Sequence, residues 1–265
     1  MSIGWPQTFA LDLDQVRRAL ALYAQPSRLG IAQVASGLGL GSPKVEGLNS
    51  WLKYLGLRCP RSGQLTPLGQ LLWRADPSLR DEATLCVLHY VLVSNPEATV
   101  WYEAINHFLP ARDSFSAEDL KGHFDQPQFA ENSAKQLKSD RGLFLSTYTG
   151  TERRALQSLG LLETRGSGYV VQPIQDVPAL VLGYCLYDRR GRLNHETTTE
   201  IRRLLHEAGS PGIILRMPEV ALRRGLAELE SAGLVSIARI ADIDGVAYIS
   251  QASPLELLEQ YYQSR

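Results

Sequence analysis

RLGIAQVASGLGLGSPKVEGLNSWLKYLGL, residues 28–57, holds the pattern on which the fold turns. Ile31, Val34, Ala35 and Leu38 recur at the three-to-four spacing of a helix face. The glycines and proline of GLGLGSP then break that helix. Ser42 is placed to cap the next one, with Pro43 suited to its first position. In this second helix Val45, Leu48, Leu52 and Leu55 form one apolar stripe, and the other face carries Lys44, Glu46, Asn49, Ser50 and Lys53. A helix, a glycine turn and a second helix with one polar face is a helix-turn-helix, whose second helix enters the DNA major groove. RCPRSGQLTPLG follows, predicting a hairpin wing with Arg58 and Arg61 around Ser62-Gly63, and Thr66 is placed to cap PLGQLLWRA.

Two further stretches show a related pattern. In GTERRALQSLGLLETRGSGYVV (150–172) the spacing predicts an amphipathic helix, then a hairpin tipped by Gly166-Ser167-Gly168. In residues 194–251, Ile201, Leu204 and Leu205 predict one helix, GSPG a turn, and Val220, Leu222, Leu226 and Leu229 a second helix. A hairpin turning at Asp244-Gly245 closes this stretch. The middle of the chain reads as core helices, TLCVLHYVLVSN and ATVWYEAINHFL, followed by SAEDLKGHF and SAKQLKSDRGLFLSTY, each opened by a capping serine. Residues 109–117 look like a linker. The expected fold is mainly α: multiple winged helix-turn-helix modules with short β-hairpin wings around a helical middle region. The modules are drawn at 1–76, 77–148, 149–193 and 194–265, with hairpins near 57–66, 160–172 and 233–250.

Composition narrows the class. Apolar residues at 44% and charged residues at 21% argue against long disorder. No run approaches the roughly 20 apolar residues of a spanning helix, and MSIGWPQTF is no secretory signal. Cys59, Cys86 and Cys185 are widely spaced and form no CxxC pair, which fits a reducing compartment and a cytoplasmic location. Net charge is −1 overall, but residues 1–75 carry eight basic and three acidic side chains, whereas residues 76–135 carry four basic and ten acidic. A basic first module beside an acidic middle points to nucleic acid on the first module. The candidate DNA contacts there are Ser42, Lys44, Asn49, Ser50, Lys53, Arg58 and Arg61, with cations on phosphates and Asn49 able to read an adenine edge.

The middle and end of the chain resemble a known family. LHYVLVSNPEATVWYEAINHF (88–108), SAKQLKSDRGLFLSTY (133–148), GSPG (209–212) and PLELLEQYY (254–262) resemble, in the same order, motifs of an SspB-like bacterial domain family of unknown function. That family occurs in Ssp-type DNA phosphorothioation defence operons. The resemblance implies DNA engagement in a modification or defence system, beside an ATPase and a sulfur-transfer enzyme, and it implies DNA nicking in the relatives. The family opens with His-Glu-Thr-Phe where this chain has Pro6-Gln7-Thr8-Phe9, so a possible base or ligand pair is missing.

Chemistry is sparse otherwise. Metal-assisted phosphodiester cleavage needs converging carboxylates. Asp140 in LKSDR is the candidate catalytic residue, with Lys138 and Arg141 able to hold a phosphate beside it; His89, Asp176 and Asp188 could join only through folding. The plainer reading makes Asp140 a surface carboxylate paired with its basic neighbours and His89 a core histidine. No metal ligand set is expected, and a divalent ion (Mg or Mn) enters only if the chain is a nickase. GLGLGSPK lacks the order of a phosphate loop. Trp101, Tyr102, Phe108 and Tyr148 could stack a base, but their helical spacing favours core packing. The leading expectation is a DNA-binding subunit that positions partner proteins. The alternatives are a site-selective nickase, a winged-helix transcriptional regulator and a protein-docking scaffold.

Overall fold

The helices expected within residues 28–75 form where the sequence places them, preceded by one that was not expected. In the computed structural model, which describes residues 9–25, 29–150, 154–240 and 243–265, α1 (Leu13–Tyr23) starts at Asp12, whose carboxylate accepts from the backbone N–H of Asp14 and Gln15. α2 (Ile31–Leu38) ends at Gly39 with φ 67°. α3 (Ser42–Tyr54) starts one residue earlier than its capping signal suggests: Gly41 is the N-cap, Ser42 makes no capping bond, and Pro43 sits in the first turn. Val45, Leu48, Leu52 and Leu55 are all buried. The expected wing holds a single antiparallel bridge, Arg58 to Leu65. Thr66 then caps α4 (Pro67–Ala75), accepting from Gly69 N at 3.0 Å and donating to Gly56 O.

α5 (Glu82–Val93) and α6 (Thr99–Glu103, continued by a π-helical turn Ala104–Phe108) make the aromatic middle. The segment expected to be a linker is instead a short turn (Leu109–Ala111) and strand β1 (Ser114–Ser116). α7 (Ala117–Phe124) carries a capping box between Ser116 and Asp119, and α8 (Ala134–Tyr148) follows; Ser133 precedes it without a side-chain capping bond. Of the amphipathic helix expected after residue 150, residues 151–153 lie outside the described residues and the rest shows one short turn, Gln157–Leu159. Its backbone is committed elsewhere: Arg154 O accepts from Leu13 N at 2.7 Å, and Leu156 N donates to Thr147 O at 3.0 Å. The hairpin of β2 (Leu162–Arg165) and β3 (Gly168–Val171) is where expected.

α9 (Ala179–Arg192) crosses to the last unit, made of β4 (Thr198–Glu200), α10 (Ile201–His206), α11 (Pro211–Ile214), α12 (Glu219–Ser231), β5 (Val235–Ile240), β6 (Ile243–Tyr248) and the closing α13 (Pro254–Gln263). Asp244-Gly245 lies inside β6, opposite Arg239 and Ala238, and so is not the turn of the hairpin. Gly245 serves the sheet: a Cβ there would come 3.2 Å from Thr198 Cγ2 on the neighbouring strand. Val220, expected in the apolar stripe of α12, is 81% exposed, while Leu222, Leu226 and Leu229 are buried.

The molecule is thus mainly helical with two small antiparallel sheets of three strands. Their orders are β1-β3-β2 and β4-β6-β5. Each is built along the same path, strand, helices, then a hairpin whose second strand lies in the centre. No helix among the described residues is long and apolar enough to cross a membrane.

Buried polar links tie these parts together. His89 is fully buried, its Nε2 2.8 Å from Ile214 O and its Nδ1 2.8 Å from the Tyr148 hydroxyl. A carbonyl only accepts, so Nε2 carries the proton and Nδ1 accepts from Tyr148. Burial pushes this imidazole down to about 4, and it stays neutral. Asn106 donates to Val93 O and accepts from Gly209 N at 2.7 Å. Tyr262 donates to Thr84, whose own proton goes to Asp76. Gly212 allows the closest backbone approach in this region, since a Cβ there would lie 2.5 Å from Leu204 O. Gly212→Ala is therefore expected to cost about 2–4 kcal/mol of stability, read as a lowered urea midpoint with an unchanged m-value.

Candidate nucleic-acid interface

α3 does not present its cations on one face. Lys44 and Lys53 are nine residues apart, which at about 100° per residue is half a turn of rotation. Lys44 shares its side of the helix with Trp51 and lines a cleft of about 530 Å³ with Asp12, Gln15, Ser146 and Arg154. Its ammonium makes no ion pair or hydrogen bond among the described residues. Lys53 opens into a second cleft, of about 510 Å³, with Asp188 and Arg192, and is paired with Glu97 at 2.6 Å. The basic first unit and the acidic middle therefore meet, in part, in an ordinary surface ion pair.

Ser42 and Glu46 are exposed, and Asn49 and Ser50 are half-buried. The Asn49 carbonyl accepts from the Tyr23 hydroxyl at 2.6 Å. The Arg58 guanidinium lies 4.4 Å from the centre of the Tyr23 ring, and its Nε donates to Gly63 O at 3.0 Å. Arg61, beside the tip of the turn, is exposed and makes no ion pair among the described residues. The structure thus joins Asn49 and Arg58 through Tyr23, a residue that the sequence reading did not single out. The Asn49 amide nitrogen makes no hydrogen bond among the described residues.

Asp140 is not a surface carboxylate. It is 2% exposed, takes a hydrogen bond from Gln136 Nε2 at 2.8 Å, and is pushed up by burial to about 7. The basic neighbours turn away from it. Lys138 is exposed on the opposite side of α8, and Arg141 donates to Lys121 O at 3.4 Å and lies 4.0 Å from Asp125. Asp188 is bound by Tyr90 and Arg192, Asp176 is exposed, and His89 is fixed as described. Among the described residues no group of three His, Cys, Asp or Glu side chains is placed to share an ion. Trp101, Phe108 and Tyr148 are buried core side chains; Tyr102 is half-buried against the His107 ring. Pro6, Gln7 and Thr8 lie outside the described residues. Phe9 O accepts from Trp51 Nε1 at 2.9 Å at the edge of the Lys44 cleft.

Small three-stranded sheets each fed by a strand–helix path, with buried polar links between units, define a multi-unit helical protein. The chain belongs to the family described as Protein of unknown function (DUF4007), whose model matches residues 7–262. Its fold is similar to that of a magnesium ion-bound SspB crystal structure, at TM-score 0.81 and 20% identity, covering 97% of this chain and 87% of that one. A second SspB crystal structure matches at TM-score 0.82 with the same identity and coverage. No curated protein matches the chain.

Asp140 and His89 have opposite pH signatures. With its pKa raised, folded Asp140 holds an extra proton between about 3.9, the ordinary carboxyl value, and about 7, so its contribution to stability declines as pH rises through that window. With its pKa lowered, His89 leaves the unfolded chain holding the extra proton between about 6.5 and about 4, so its contribution declines as pH falls. Asp140→Asn removes only the first term. The variant is expected to gain up to roughly 3–4 kcal/mol over the parent at pH 8 and little at pH 4. Denaturant titrations at the two pH values check this; a pH-independent difference refutes the assignment.

Proposed function

We propose that this chain is the DNA-binding subunit of a phosphorothioation-type modification or defence system, and that it positions partner proteins on DNA. The observation that carries the reading is the turn after α3, where Arg58 is held on the Tyr23 ring beside Asn49 and Arg61 is exposed with no acidic partner among the described residues; Lys44, on the other side of α3, likewise has none among them. On this reading the first unit is a winged helix, α3 entering the major groove and the turn around residues 58–65 serving as wing. Arg61, Lys44 and Arg58 meet phosphates, while Ser42, Asn49 and Ser50 approach base edges or sugar. Lys53 contributes less, being already paired with Glu97. The likeness to SspB supports the system, and the ATPase and sulfur-transfer enzyme are the partners expected there.

The test is a salt-dependent fluorescence-anisotropy titration on a duplex of about 25 base pairs, at least two helical turns. Arg58→Ala with Arg61→Ala should weaken binding similarly across sequences and reduce the slope of log K against log salt by about 2, as expected for two lost phosphate contacts. Unchanged affinity and slope in that double variant would remove the DNA site from this unit.

A second reading, a site-selective nickase using Mg or Mn, is favoured by the magnesium ion in one SspB structure. The surroundings of Asp140 do not fit such a site: a lone inward carboxylate, bonded to an amide and half protonated near neutral pH. Purified protein on supercoiled plasmid with either ion decides between the readings. The binding reading expects no nicked product, and nicking that Asp140→Ala leaves intact would place the chemistry at other residues.

A further inference from the structure

The repeated path of the two sheets identifies α8, with the β2–β3 hairpin, as the counterpart in the middle of the chain of α12 with β5–β6. The three units treat their cations differently. In the last unit Arg223 is held by Glu219 and Asp244, and Arg203 by Glu196 and Glu207. On α8, Lys135 and Lys138 are exposed and make no ion pair or hydrogen bond among the described residues, and the same holds for Arg165 at the tip of the β2–β3 hairpin. Lys135, Lys138 and Gly142 follow each other at i, i+3 and i+7, one stripe directly opposite the buried Leu137 and Phe144. Gly142 has no packing reason to be glycine: a Cβ built there meets nothing within 4 Å. A glycine in the exposed middle of a 15-residue helix weakens it. It does allow the helix backbone to come close to something outside the chain.

We infer that α8 and the β2–β3 hairpin form a second duplex-DNA contact, with Lys135, Lys138 and Arg165 on phosphates and Gly142 at the point of closest approach. The inference rests on the DNA-binding reading given above and extends it from one contact to two. Asp140 takes no part, since it lies on the buried side of the same helix. The last unit, with Arg203 and Arg223 held in internal ion pairs, is not a third contact of this kind. Charge complementarity commits the surface to a phosphate backbone, and the uniform spacing of phosphates makes the contact independent of sequence.

The experiment uses the full chain and the same salt-dependent titration on a duplex of about 25 base pairs. Lys135→Ala with Lys138→Ala should weaken binding about tenfold or more near physiological salt and reduce the salt slope by about 2. Gly142→Leu should keep or raise Tm, since leucine is the better helix former and has open space, and yet should weaken DNA binding. Arg224→Ala, on exposed α12, should leave binding unchanged. If the parent chain binds no duplex at all, the DNA-binding reading itself is wrong. If the parent binds and Arg58→Ala with Arg61→Ala weakens it, while the α8 variants bind like the parent, the second contact alone is overturned.

Discussion

The buried imidazole of His89 is the constraint from which much of the structure follows. A histidine sealed from water must satisfy both ring nitrogens or forfeit about 1–3 kcal/mol for each one left bare. Here the two partners come from distant parts of the chain, Tyr148 at the end of α8 and Ile214 in α11. One ring therefore fixes α5, α8 and α11 against each other, and it does so only as the neutral tautomer with the proton on Nε2. Asn106 repeats the arrangement nearby, joining the end of α5 to Gly209. The segments that carry the family resemblance, LHY, the asparagine of AINHF, the tyrosine of FLSTY and GSPG, meet in these two links. Their shared role is to lock units together.

On the DNA-binding proposal, a locked frame matters. Cations on separate units act together on one duplex only if their spacing is held by packing. The core is continuous from the first unit to the middle, through Trp51 against Trp101 and Trp101 against Phe144. That aromatic ladder runs from α3 through α6 to α8, the helices that bear Lys44 and Lys138. The third unit uses its arginines differently. Arg189 and Arg203 both pair with Glu207 between α9 and α10, which ties those helices together.

Much of this was legible in the sequence because it is local. Helical spacing located α2 through α5 and α12, Thr66 and Ser116 acted as caps, and two of the three predicted hairpins formed as strand pairs, with the first reduced to one bridge. The failures share a cause, namely partners far away in sequence. The 150–161 segment has helical spacing but spends its backbone on Leu13 and Thr147. Residues 114–116 look like linker because a three-residue strand has too few side chains to show a period. Asp244-Gly245 resembles a turn, yet the glycine is there for a neighbouring strand. Within the candidate interface, Lys44 and Lys53 looked like one face because polar character was read without the helical angle between them. Asp140 looked exposed because its neighbours in sequence are basic, whereas the fold buries it beside Gln136.

The central claim is that a frame locked by buried polar links presents duplex-binding cations on the first unit and on α8. Hydrogen–deuterium exchange of the full chain with and without duplex DNA tests it most directly. Binding is expected to slow exchange in α3, in the turn around residues 58–65 and in α8 with the β2–β3 hairpin, while α12 with β5–β6 exchanges as before. Protection confined to the last unit, with none in α3 or α8, would contradict the account.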